Sequence, residues 1–112
     1  MLSFQKLHVY QCAVEFLALA FRIVAGFPKG HAAIADPLRR AATSIPLNIA
    51  EGAGRLTKPD AARHYAIARG SAMECAAILD ALALLDVAAP MKREESLILL
   101  ERIVAMLTKM CG

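Results

Sequence analysis

The sequence predicts an all-α protein, an antiparallel up-down-up-down bundle of four helices. The first observation is composition: 58% of the 112 residues are hydrophobic, 23 residues are alanine and only 5% are aromatic, a mixture that favours helices over strands. The second is that apolar residues recur every three or four positions in four separate stretches. The third is that short connections join these stretches, which makes consecutive helices antiparallel neighbours.

One domain that covers residues 1–112 is the predicted organisation. A chain of this length is expected to form a single core, and it contains no repeat, low-complexity tract or spacer. The apolar share exceeds what a small monomer buries, so we expect other copies of the chain or a partner to cover some faces. A homo-oligomer is therefore predicted.

The first helical stretch runs from about Leu7 to Ala25 and carries two apolar seams side by side. A narrow polar stripe of Gln11, Glu15 and Arg22 remains, so this helix is expected to have contacts on nearly every side. The segment Phe27-Pro28-Lys29-Gly30 is expected to break it, because proline restricts the residue before it and glycine is permissive. The seams consist of Val9, Ala13, Phe16, Ala20 and Ile23, and of Tyr10, Val14, Leu17, Phe21 and Val24.

The second stretch, from about Ile34 to Ala53, has one apolar line and one polar line at helical spacing. Pro46 falls inside it and is expected to remove one backbone hydrogen bond and to bend the axis. Gly52 and Gly54 are expected to supply the exit. The apolar line is Ile34, Leu38, Ala41, Ile45, Ile49 and Gly52, and the polar line is Arg40, Ser44, Asn48, Glu51 and Arg55.

The third helix is predicted to begin at Thr57, whose side chain can cap it, with Pro59 in the first turn and Asp60 near the positive helix end. It is expected to extend to about Asp86. Its predicted buried side comprises Tyr65, Ala68, Ala72, Cys75, Leu79, Leu82 and Leu85.

A turn at Ala88-Ala89-Pro90 is predicted to separate the third helix from a fourth, which covers about Lys92 to Lys109. Leucine and valine recur in this last stretch at alternating three- and four-residue steps, the repeat of a coiled-coil-like seam. The seam residues are Leu97, Leu100, Val104 and Leu107.

Several classes of function find no support in the sequence. Charged residues interrupt every apolar run, so we expect no membrane span, and the N-terminus lacks the pattern of a signal peptide, so a cytoplasmic location is expected. Cys12, Cys75 and Cys111 are widely spaced and form no CxxC pair, which predicts reduced, partly buried thiols. Motifs typical of metal, nucleotide or nucleophile sites are absent from the sequence, so no metal site, cofactor or catalytic residue is predicted and the protein is expected not to be an enzyme.

The polar line of the second helix admits three interpretations. It is a solvated face, a hydrogen-bonded network inside the bundle or between subunits, or a direct contact with a ligand or nucleic acid. Serine and asparagine are poor helix formers, which makes them unusual choices for a face that is merely wet. We expect the network, in which a buried carboxylate requires an arginine partner. Its predicted members are Arg40, Ser44, Asn48, Glu51, Arg69 and Glu74.

Positive charge is concentrated in the middle of the chain. The formal net charge is +3 and the sequence pI is about 9.0, but from Arg39 to Arg69 six Arg or Lys residues accompany only two acids, Glu51 and Asp60. Arginine and lysine side chains of such a segment can hold phosphates. The predicted nucleic-acid contacts are Arg39, Arg55, Lys58 and Arg63.

Four segments carry a resemblance to a known family: LHVYQCAVEF, FPKG, LRRAATSIPLNIAEGAGR and YAIARGSAMECAAILDALALL. Together they resemble the bacterial four-helix-bundle family first known as proteins encoded by intervening sequences within 23S ribosomal RNA genes. A related branch of that family is the accessory variability determinant of diversity-generating retroelements, a basic pentameric barrel that binds the reverse transcriptase and nucleic acid. The residues on the family's motif are Arg40, Ser44, Asn48, Glu51, Gly52, Arg55, Arg69, Gly70, Ser71 and Glu74.

The resemblance implies a four-helix bundle that assembles as a homopentameric barrel, without a recognised enzyme activity. Together with the basic segment, it leads us to expect a non-enzymatic multimeric binding module for structured RNA or DNA. The alternative is an oligomeric scaffold that docks a protein partner, such as a reverse transcriptase or another nucleic-acid enzyme.

Overall fold

A computed structural model describes residues 1–28, 30–86 and 90–112. Within these ranges the chain forms four α-helices and no strand, which confirms the predicted all-α, four-helix class. Each helix begins and ends within two residues of its predicted limits. The helices are α1 (His8–Ala25), α2 (Ala32–Ala53), α3 (Lys58–Leu85) and α4 (Pro90–Cys111), and a short 3-10 helix (Ser3–Lys6) precedes them.

The four helices pack in a ring, in which α1 and α3 each contact both α2 and α4. Neighbouring helices are antiparallel: Asn48, late in α2, meets His64, early in α3, and His8, at the start of α1, meets Arg102 in the second half of α4. The beginning of α1, the α2–α3 turn and the end of α4 therefore lie at one end of the bundle. The longest dimension is 44 Å, close to the length of about 42 Å expected for the 28-residue helix α3.

The core lies along the axis of the ring, and every helix contributes to it. The predicted apolar lines are buried in large part, but three of their members are exposed. Val14 and Phe21 of the second α1 seam are exposed, because a helix with two neighbours in a ring leaves its outer side uncovered. Leu85 is exposed at the end of α3. The largest fully buried apolar side chains are Phe16, Leu38, Ile45, Ile49, Leu79, Leu82, Ile103 and Leu107.

Helix α1 has the length and mean hydropathy that a membrane span requires, although Glu15 and Arg22 lie within it. Its apolar residues line the bundle core. A core helix of a soluble bundle and a membrane span both satisfy this criterion of length and hydropathy. The predicted absence of a membrane span therefore stays a prediction.

Helix α2 continues through Pro46 without interruption. Its C-cap is Gly54, whose φ of −88° is right-handed, so the exit does not use the left-handed freedom of glycine. Gly52 has a different role: a Cβ atom at this position would lie 2.6 Å from Cε1 of Tyr65. The absence of a side chain at Gly52 therefore lets α2 and the Tyr65 ring of α3 approach each other closely.

Helix α3 begins as predicted, because the Thr57 hydroxyl accepts a hydrogen bond from the Asp60 N–H at 3.3 Å and Pro59 lies in the first turn. Its C-cap is Asp86, which is left-handed with a φ of 53°. Ala88 and Ala89 of the predicted turn, and Lys29 of the predicted break after α1, lie outside the described residues.

Candidate nucleic-acid interface and adjoining polar cluster

Five polar side chains form a hydrogen-bonded cluster between α2 and α3. Asn48 is at its centre, since its Nδ2 donates to the Ser44 carbonyl at 2.9 Å and to the Ser44 Oγ at 3.0 Å. From α3, the Ser71 hydroxyl donates to the Ser44 Oγ at 2.9 Å. His64 Nδ1 lies 3.2 Å from Asn48 Oδ1 and 3.2 Å from Glu51 Oε2. The cluster thus joins the two helices along two turns.

The surroundings of His64 determine where its proton lies. Both atoms that face Nδ1 are acceptors, an amide oxygen and a carboxylate oxygen, so Nδ1 carries a hydrogen and donates. Nε2 is buried and has no hydrogen-bond partner among residues 1–28, 30–86 and 90–112. His64 is almost fully buried, whereas more than half of the Glu51 side chain is exposed. The carboxylate thus fixes a buried ring from the solvent side.

Three of the predicted network residues belong to this cluster, and three do not. Ser44, Asn48 and Glu51 are members, but the partner of Glu51 is His64, where an arginine was expected. Arg40 and Glu74 border a shallow depression of about 310 Å³ beside Ser44. Within the described part of the chain neither makes an ion pair.

Arg69 was expected to pair with a carboxylate inside the network and instead joins α3 to α4. Its Nε donates to the Thr108 Oγ1 at 2.8 Å. The reason is geometric, because Arg69 and Ser71 point about 200° apart around α3 and cannot face the same neighbouring helix. His64 was not predicted as a member, since its place opposite Asn48 depends on how α3 aligns with α2.

Cationic side chains gather at one end of the bundle, which we call the basic end. Arg55 follows α2, Lys58 opens α3, and Arg63 lies less than two turns further along. The antiparallel topology adds Lys6 from the segment before α1 and Lys109 from the end of α4. All five are exposed. The accompanying acids are Glu51 and Asp60, so this end has a positive excess.

Arg39 does not belong to the basic end. It precedes Arg55 by 16 residues along the chain, about 24 Å on a helix, and its guanidinium is 2.8 Å from the Asp36 carboxylate. That separation exceeds a Debye length of about 8–10 Å at ordinary salt. The structure therefore brings together three of the four predicted nucleic-acid contacts and sets Arg39 apart.

An apolar residue stands out among these cations. Leu56 lies in the α2–α3 turn between Arg55 and Lys58 and is fully exposed. Leu56 was not predicted from the sequence, and neither were Lys6 and Lys109, because the place of these two lysines at this end depends on how the helices pack. The signal was present in the sequence as a leucine inside an otherwise polar turn.

Next to Lys58, a hollow of about 470 Å³ opens between the start of α3 and the end of α4. Its walls include Pro59, Tyr65 and Met110, which present largely apolar surface. Burial raises the pKa of the Tyr65 hydroxyl, and the ring packs closely against Gly52. The hollow therefore has a fixed aromatic wall and a cation at its rim.

A second groove, of about 400 Å³, runs between α3 and α4 further along the bundle. Met73, Leu97 and Val104 form its apolar floor, and Asp80 and Glu101 lie on its rim. This groove is apolar with an acidic rim, whereas the basic end is cationic. Such a surface is better matched to another protein surface than to a polyanion.

The three cysteines are free thiols. Cys12 and Cys75 are buried and Cys111 is partly exposed at the edge of the hollow. Burial, with a smaller contribution from the nearby Glu74 carboxylate, raises the pKa of the Cys75 thiol to about 12. Cys75 is therefore a protonated core residue at neutral pH.

The family model described as 23S rRNA-intervening sequence protein matches residues 5–109. Among solved structures, a protein of unknown function from the S23 ribosomal protein family of Bacteroides thetaiotaomicron VPI-5482 is similar, with a TM-score of 0.85 and 19% identity over 93% of this chain and 98% of that chain. At this identity the likeness concerns the fold. No curated protein matches the chain.

Proposed function

We propose that this chain, which belongs to the 23S rRNA-intervening sequence protein family, is a non-enzymatic, multimeric module that binds structured RNA or DNA through its basic end. The observation that carries the proposal is the convergence of Lys6, Arg55, Lys58, Arg63 and Lys109 at one end of the bundle. These residues come from four separate segments of the chain.

The physical basis is the release of counterions when cationic side chains approach phosphates. Five exposed cations against two acids provide such contacts in one copy, and Arg55 and Arg63 can each hold a phosphate by two parallel hydrogen bonds. In a homopentamer, which the resemblance implies, the basic end would recur around the symmetry axis and its fields would add. Exposed apolar side chains such as Val14, Phe21 and Ile98 provide surface for contacts between copies.

The test is the salt dependence of affinity for a structured RNA, measured by fluorescence anisotropy. We expect affinity to fall steeply with salt, and Arg55→Ala or Lys58→Ala to lower the slope of log affinity against log salt by about one each. Arg39→Ala is the matched control, because it removes the same charge at a distant position already paired with Asp36. An affinity that does not change between low and moderate salt contradicts the proposal.

A second candidate function is an oligomeric scaffold that docks a nucleic-acid enzyme, such as a reverse transcriptase, onto the α3–α4 groove. The observation in its favour is the acid-rimmed apolar groove, in which Met73 is exposed. The two functions differ in their response to substitution: Met73→Glu abolishes binding of the enzyme in the scaffold case, whereas Lys58→Ala leaves that binding unchanged.

A further inference from the structure

The basic end has features that distinguish one form of nucleic acid from another, and what they imply rests on the proposed function. We propose that the basic end binds unpaired bases, with one base seated in the hollow beside Lys58 and Leu56 as a second apolar contact. The ligand class is therefore single-stranded nucleic acid, including the loops of a structured RNA, in preference to a regular duplex.

The hollow has the properties that a flat, apolar base with an attached phosphate requires. Pro59, Tyr65 and Met110 line its walls, and unpaired bases are commonly held against such aromatic and apolar surfaces. Lys58 borders the same hollow, and Arg63 lies on the following turn of α3. A base in the hollow would therefore leave its phosphates within the field of these cations.

Leu56 is held outward by a turn with a defined backbone. The Arg55 N–H bonds to the Gly52 carbonyl at 3.2 Å, and the Thr57 hydroxyl caps α3 through the Asp60 N–H. The Leu56 side chain is fully exposed, so its burial contributes nothing to the stability of the protomer. Because Leu56 lies between Arg55 and Lys58, a nucleic acid bound by these cations would meet the leucine with its apolar surfaces, which are the faces of its bases.

A duplex does not offer these faces, because its bases are stacked on one another and only their edges reach the grooves. It would meet Arg55, Lys58 and Arg63 through its phosphates alone. Single strands and loops present both phosphates and open base faces. The juxtaposition of cations with the hollow and Leu56 therefore favours unpaired nucleic acid over a duplex of equal charge.

The first experiment compares a single-stranded RNA with a duplex of the same number of phosphates, by anisotropy at one salt concentration. We expect Leu56→Ala to weaken binding of the single strand by about tenfold, as for the loss of one base contact, and to change binding of the duplex less than twofold. Leu84→Ala is the matched control, because Leu84 is also highly exposed but lies at the opposite end of α3. Equal losses for both RNAs, or an equal loss in the control, overturn the proposal.

The second experiment measures the rate at which Cys111, at the edge of the hollow, is alkylated. Cys12 and Cys75 are buried and do not compete. We expect the single strand to slow alkylation of Cys111 severalfold and the duplex, at a concentration that saturates binding, to leave the rate unchanged. If both RNAs bind and neither protects Cys111, the base-binding proposal fails and the proposed function stands. If neither RNA binds at low salt, both fail.

Discussion

Two glycine-to-alanine substitutions, at Gly52 and at Gly70, present the same chemical change with opposite expected effects on stability. Both residues lie inside helices, at the end of α2 and in the middle of α3. A Cβ atom at Gly52 would lie 2.6 and 2.8 Å from two carbons of the Tyr65 ring and 3.1 Å from the Ala61 carbonyl oxygen. A Cβ atom at Gly70 would meet no atom within 4 Å among the described residues.

The magnitudes follow from these distances. Alanine is favoured over glycine in a helix by about 0.5–1 kcal/mol, and Gly70→Ala should gain this amount. At Gly52 the ring must move by about 1 Å to reach a normal carbon–carbon separation, and overpacking of this kind costs about 1–3 kcal/mol. After the helix gain, Gly52→Ala should destabilise the protein by about 1–2 kcal/mol.

The assay is urea unfolding followed by circular dichroism, with each variant at the same protein concentration so that self-association does not shift the comparison. The two variants should differ by about 2 kcal/mol, or about 8 °C in Tm for a domain of this size. Tyr65→Leu should reduce the cost of Gly52→Ala, because it removes the ring that clashes. Equal stability changes in the two alanine variants would refute the close-packing role of Gly52.

The remaining predictions concern the core thiol and the polar cluster. Burial raises the pKa of the Cys75 thiol to about 12, compared with about 8.5 in the unfolded chain, so loss of the thiol proton favours the unfolded state. The free energy of unfolding should therefore be unaffected below about pH 8. It should fall between about pH 8.5 and 12 by up to about 1.4 kcal/mol per pH unit. Urea unfolding of Cys75→Ala and wild type at pH 7.5, 9 and 10 checks this, and a difference between them that does not vary with pH contradicts it. Asn48→Ala should cost about 1–3 kcal/mol, because it removes the amide that bonds to Ser44 on one side and to His64 on the other. Thr43→Ala, at a half-buried position outside the cluster, should cost less than about 0.5 kcal/mol, because the higher helix propensity of alanine offsets the lost bond to the Arg39 carbonyl. Equal costs would show that the cluster does not stabilise the fold.

Much of the fold could be predicted from local patterns. The cap at Thr57 and the buried line from Leu38 to Ile49 follow from residue type and helical spacing, which depend only on nearby positions along the chain. The apolar pattern does not specify which side of a helix remains uncovered in the ring. This is why the second α1 seam was predicted correctly as apolar but Val14 and Phe21 lie on the surface.

The candidate site was predictable in part. Ser44, Asn48 and Glu51 were recognised as one line because they recur at helical spacing on α2. Their partner His64, by contrast, lies on another helix and depends on the alignment of α3 with α2. The roles predicted for Arg40, Arg69 and Glu74 required a knowledge of which neighbour each faces, and a single helix does not contain that information.

The sequence by itself determined the helices, their apolar faces, the positive charge of the central segment and the membership of the polar line, because each depends on residue type and on spacing of a few positions. The tertiary structure alone decided that Lys6 and Lys109 join Arg55, Lys58 and Arg63 at one end, that Arg39 lies far from them, and that Gly52 accommodates Tyr65. The physical reason is that antiparallel packing brings together chain segments that are distant in sequence, and the register of that packing results from interlocking side chains along the whole length of the helices.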